Sequence, residues 1–228
     1  MNYALNPLRA VIFDGVILDT ELPEFTSWYE VYEAHGHVLD FDAWAKGIGT
    51  RDGFDPYALL EELTARTLDR QAIQAVRRPR NRELLEALPL MDGVLARLEE
   101  AVALGLKVGL ASSADTDWVY GHLERFAITT RFDAVICANG DLPPKPDASV
   151  YRATLAELAV AASGAVAFED SPNGIAGAQA AGVFCIAVPN AITARLDLSA
   201  ADAHATSLAE VSLRRLAETW SRIESRGP

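Results

Sequence analysis

Cysteine is scarce in this 228-residue chain: only Cys137 and Cys185 occur, each inside an apolar run, and neither at CxxC or metal-ligand spacing. A disulfide framework and a zinc site therefore have no support, and a reducing cytoplasm is the expected compartment. Long hydrophobic runs are missing too, since no stretch of about 18 apolar residues exists. Residues 1–7 carry no basic region followed by an apolar segment, so export and membrane spanning are not expected. Positive charge is in short supply: 20 Lys+Arg face 32 Asp+Glu, a net charge of −12. Such a surface has no general attraction for a polyanion or an anionic membrane, which argues against nucleic acid as a partner. Repeats and low-complexity segments are absent as well. What is present is a 50% hydrophobic composition, enough for one substantial core or a core with a smaller companion.

From Leu88 onward, short apolar runs alternate with segments of helical period, the pattern of a parallel α/β sheet. Residues 107–111, 132–138, 165–168 and 183–188 read as strands. Between them, helices are expected where Val119, Leu123 and Phe126 fall at i, i+4, i+7, at Val150 to Leu158, and at 173–181. A further strand lies far upstream at residues 9–13. The stretch between is of another texture, with Phe25, Trp28, Tyr29, Tyr32 and Trp44, then a helical run from Pro56 through Leu59, Leu60 and Leu63. It reads as a mostly helical insertion of domain size. Leu216, Trp220 and Ile223 predict a C-terminal helix. The expected architecture is a Rossmann-like α/β core, residues 1–17 and 88–228, interrupted by a helical cap at 18–87.

Ligands of open parallel sheets gather at the carboxyl ends of the strands. There the sequence places Asp14, Ser112, Glu169 and Asp170, with Lys145 in the loop Leu142-Pro143-Pro144-Lys145-Pro146. Acidic oxygens suit a hard cation, and an ammonium and a hydroxyl suit phosphoryl oxygens. Each residue also has a plainer reading. Asp14-Gly15 suits a turn, Ser112 a helix start, Lys145 a solvated loop, and Glu169-Asp170 the approach to a helix capped by Ser171 with Pro172 at its first position.

Phe168-Glu169-Asp170-Ser171-Pro172-Asn173-Gly174-Ile175, Lys145-Pro146-Asp147, Leu110-Ala111-Ser112-Ser113 and Asp14-Gly15-Val16-Ile17-Leu18-Asp19-Thr20-Glu21 together resemble the motifs of the haloacid dehalogenase superfamily. The resemblance is to its capped branch, near β-phosphoglucomutase and the sugar-phosphate phosphatases. It implies Mg²⁺ held by Asp14, Glu169 and Asp170, catalysis by Asp14, Ser112 and Lys145, and substrate contacts from Ser113, Asn173 and Arg51, which lies where related caps place a substrate-binding arginine. The activity implied is hydrolysis of a small phosphorylated metabolite through an aspartyl phosphate, by a monomer or weak homodimer. Phosphoryl transfer between sugar positions is the nearby alternative. Dehalogenation is disfavoured, because that chemistry does not need the metal that Glu169-Asp170 suits.

The first motif departs from the family pattern of two aspartates separated by one residue. Two residues are missing, so Asp14 matches either the nucleophile, leaving no acid/base aspartate, or the acid/base residue, leaving Ile12 in the nucleophile's place. A binding protein that retains the phosphate and metal pocket but turns over slowly is therefore a rival reading. In the insertion, Arg77-Arg78-Pro79-Arg80-Asn81-Arg82 reads as an exposed basic helix end, with substrate contact as the competing role.

Overall fold

The structure is a computed structural model that describes residues 7–45, 47–48, 54–139 and 142–224, with side chains described through Trp220. In chain order the elements are β1 (Ala10–Phe13), α1 (Glu21–Ala34), α2 (Phe41–Ala45), α3 (Pro56–Thr64), α4 (Arg70–Ala87), α5 (Val94–Ala103), β2 (Lys107–Ser112), α6 (Thr116–Arg125) and β3 (Ala134–Cys137). They continue with α7 (Ser149–Leu158), β4 (Ala165–Glu169), α8 (Pro172–Ala180), β5 (Phe184–Ala187), β6 (Ala203–His204) and α9 (Leu213–Glu224).

The six strands form one parallel sheet in the order β3-β2-β1-β4-β5-β6. Successive side chains of a strand point to opposite faces. Val11 and Phe13 therefore pack with Val108, Leu110, Val166 and Phe168 on one face, while Ala10 and Ile12 join Ala165, Ala167 and Tyr151 on the other. Both faces are covered, which is why β1 and β4 read as unbroken apolar runs. Phe13 stacks on Phe168 with ring centroids 5.5 Å apart. The order in which strands are added reverses between β1 and β4, so a crevice opens beyond their carboxyl ends.

Between β1 and β2, helices α1–α4 bury Trp28, Tyr32, Phe41, Trp44, Leu60 and Ile73 in a cluster of their own, joined by Ile192 from the loop after β5. The starts of α3 and α4 follow local chemistry: Asp55 accepts from Tyr57 N and Ala58 N ahead of Pro56, and Asp69 accepts from Gln71 N and Ala72 N. Two expectations need correction. The arginine run is not a helix end but lies inside α4, where Arg77 and Arg80 pair with Glu24 and Glu30 of α1. The sheet also has a sixth strand, β6, whose two residues are too few for any alternation to register. No helix among the described residues is long and apolar enough to cross a membrane.

Candidate active site

Asp14 leaves the carboxyl end of β1, and its backbone N donates to Phe168 O at 3.1 Å, one step beyond the β1–β4 pairing. Asp14 follows directly on Phe13, the last residue of β1. The turn that follows requires Gly15: its φ is +66°, and a Cβ there would lie 2.0 Å from Asp170 Oδ1. Ser112 ends β2, and Glu169 ends β4 with Asp170 next. Ser171 then caps α8 by accepting from Gly174 N at 3.0 Å. Gly174 is required in its turn, since a Cβ would fall 1.8 Å from Glu169 Oε2.

Lys145 departs most from its plain reading. The side chain is fully buried; Nζ donates to Asp14 Oδ2 at 2.5 Å, Glu169 Oε1 at 2.6 Å and Ala111 O at 2.8 Å. Its backbone N donates to Ser113 Oγ at 3.1 Å, tying the loop to the end of β2. Burial opposes the ammonium, but the Asp14 and Glu169 carboxylates outweigh it and hold the pKa above the ordinary lysine value. Tyr151 OH donates to Glu169 Oε1 at 2.5 Å, and Glu169 Oε2 accepts from Asp170 N at 3.2 Å and Ser171 Oγ at 3.4 Å.

Asp170 Oδ2 accepts from Asn190 Nδ2 at 2.9 Å. Burial, then the negative charges of Glu169, Asp14 and Glu21, push its pKa well above the usual carboxylate range. One ammonium thus faces several carboxylates, an imbalance that favours a cation. Among the described residues no three His, Cys, Asp or Glu side chains stand together as a metal cluster. Glu169 is committed to Lys145 and Tyr151, while Asp14 and Asp170 line the crevice. Magnesium commonly takes one or two carboxylates together with waters and substrate phosphate, so this donor set fits it.

The crevice is a cavity of about 430 Å³. It is lined by Asp14, Ser112, Ser113 and Asp170 together with Leu18, Glu21, Trp118 and His122. Trp118 is 42% exposed, with its ring 4.6 Å from that of His122 in an edge contact. Ser112 Oγ accepts from Ala114 N at 3.2 Å. Asn173 does not line the cavity; its Nδ2 donates to Ile48 O at 2.9 Å, joining α8 to the helical insertion. Arg51 lies outside the described residues. The sequence reading assigned no role to Glu21, Trp118 or His122. Glu21 sits within the quoted first motif, but only folding brings it to the cavity, and the two α6 residues have no local signature.

The family model for haloacid dehalogenase-like hydrolases matches residues 12–188. The chain is 39% identical over 211 residues to the Bacillus subtilis protein YhcW, covering 92% of this chain and 96% of that one. It is 29% identical over 180 residues to the phosphorylated carbohydrates phosphatase of Thermotoga maritima, covering 77% of this chain and 82% of the relative. The crystal structure of CbbY from Rhodobacter sphaeroides in complex with phosphate superposes with a TM-score of 0.69 at 26% identity, over 89% of this chain and 96% of the other. Sheet order, motif placement and these similarities converge, and the chain belongs to the haloacid dehalogenase-like hydrolase family.

Proposed function

We propose that this protein is a phosphatase of small phosphorylated sugars that works through an aspartyl phosphate on Asp14. The observation that carries the reading is the ammonium of Lys145, buried 2.5 Å behind Asp14 Oδ2, where Asp14 and Ser112 both line the cavity. A fixed, buried positive charge there stabilises the charge developing on phosphoryl oxygens as Asp14 attacks in line. Ser112 Oγ–H and the ammonium hold the phosphoryl group, while Glu169 and Tyr151 hold the lysine. Residues 18–87 act as a cap over the crevice. Asp14 and Asp170 would hold Mg²⁺, which when bound would withdraw charge from the phosphoryl oxygens. The Thermotoga maritima relative, by name a phosphatase of phosphorylated carbohydrates, supports the substrate class.

The test is chemical labelling. Wild type treated with acetyl phosphate in Mg²⁺ should gain one alkali-labile phosphoryl group by intact mass, and Asp14→Asn should gain none. Wild type should also release phosphate from sugar phosphates. Retained binding of vanadate with neither labelling nor turnover would instead make the protein a phosphate- and metal-binding relative of the enzymes.

A further inference from the structure

With one aspartate at the end of β1, the reaction lacks a proton donor for the departing oxygen and a base for the attacking water. We propose that Glu21 supplies both, as the general acid and base of this site. The inference rests on Asp14 being the nucleophile. Seven residues after Asp14 the chain has turned back to begin α1, and Glu21, its first residue, lines the same cavity as Asp14, Ser112 and Asp170. Asp19 is the nearest rival in sequence, but its Oδ1 accepts from Leu22 N at 3.3 Å and it lines a neighbouring cavity with Asp92 and Asn190. Its carboxylate is tied to the first turn of α1, and it is absent from the lining of the cavity that holds Asp14.

The surroundings suit the role. Burial, then Glu24, Asp19 and Asp14, push the Glu21 carboxyl up to about 7, where it both gives and takes a proton near neutral pH. The titratable and charged groups around it are Glu24 and Asp19 on its own stretch of chain, Asp14 and Asp170 across the cavity, Lys145 bound to Asp14, and Asp115 and His122 on the α6 side.

In the first step an Asp14 oxygen bonds to phosphorus, and the bond from phosphorus to the leaving oxygen breaks. That oxygen keeps the electron pair and takes the proton of Glu21. In the second step Glu21 carboxylate removes a proton from water as the water oxygen bonds to phosphorus. The bond to Asp14 then breaks with its electron pair returning to Asp14, which yields inorganic phosphate and restores protonated Glu21.

Glu21→Gln, Glu21→Asp and His122→Gln, each with Mg²⁺, distinguish the possibilities. Glucose 6-phosphate needs an acid for its alkoxide, whereas 4-nitrophenyl phosphate has a leaving group that departs unaided. E21Q should therefore lose about 10²–10⁴-fold in kcat on the sugar phosphate. On 4-nitrophenyl phosphate it should still give a burst, with the Asp14 phosphoenzyme accumulating by intact mass. E21D should recover part of the rate, and wild type should show a pH limb that E21Q lacks. Wild-type turnover by E21Q, or the same leaving-group dependence in H122Q but not E21Q, would overturn the assignment. So would a wild type that labels but never discharges. Absence of label in both wild type and E21Q refutes the nucleophile itself.

Discussion

Lys145 Nζ and Glu169 Oε1 lie 2.6 Å apart, with neither side chain exposed to solvent. The same ammonium reaches Asp14, so one buried cation is the counter-charge of two carboxylates at the ends of β1 and β4. Breaking one partner of such a pair leaves a bare buried charge, whereas replacing both by apolar groups does not.

Lys145→Met should therefore cost about 3–5 kcal/mol of stability by urea unfolding and abolish the stabilisation that vanadate gives wild type. Adding Glu169→Leu should restore a large part of the stability but none of the vanadate response. A Lys145→Met protein as stable as wild type would show that the ion pair has no structural role.

Trp118 is an exposed aromatic ring that lines the same cavity as Asp14 and Ser112. Trp118→Ala should raise KM for a sugar phosphate by about tenfold or less, the scale of a lost aromatic contact, and leave KM for acetyl phosphate unchanged. An equal effect on both substrates would place the ring's influence on the phosphoryl site instead.

Arg77 donates to Glu24 Oε1 at 2.8 Å and Ser27 Oγ at 3.1 Å, and its guanidinium lies 4.7 Å from the centre of the Trp28 ring. Arg77→Ala should lower stability by about 1–3 kcal/mol, measured by denaturant, without altering phosphoenzyme formation. Arg77→Lys should recover little, because an ammonium cannot reproduce the planar stack and fork.

Glu21 binds its proton more tightly folded, at about 7, than the 4.5 of a free glutamate. Between those values the native state holds more protons than the unfolded chain, so stability falls as pH rises through this window and levels off above it. The penalty is on the order of 3 kcal/mol for the metal-free protein at alkaline pH. Glu21→Gln in chelator should remove this part of the slope between pH 5 and 8; identical melting curves for the two proteins across that range would show that the carboxyl is not perturbed.

Much of the fold is legible in the chain because its signals are local. A strand buried on both faces, such as Ala10–Phe13, is a short apolar run, and α8 announces itself through Ser171 as cap and Pro172 at its first position. The residues at strand ends are legible for the same reason: alternation and turn chemistry place Asp14, Ser112, Glu169 and Asp170 at one edge of a parallel sheet. Only the tertiary structure decided what those residues face. Lys145 lies 131 positions from Asp14 and Arg77 53 from Glu24, and no local pattern records that either pair is in contact. Nor did the first motif reveal that Glu21 lines the cavity while Asp19 accepts from Leu22 N and lines a neighbouring one; that division depends on the turn at Gly15 and on the packing of α1.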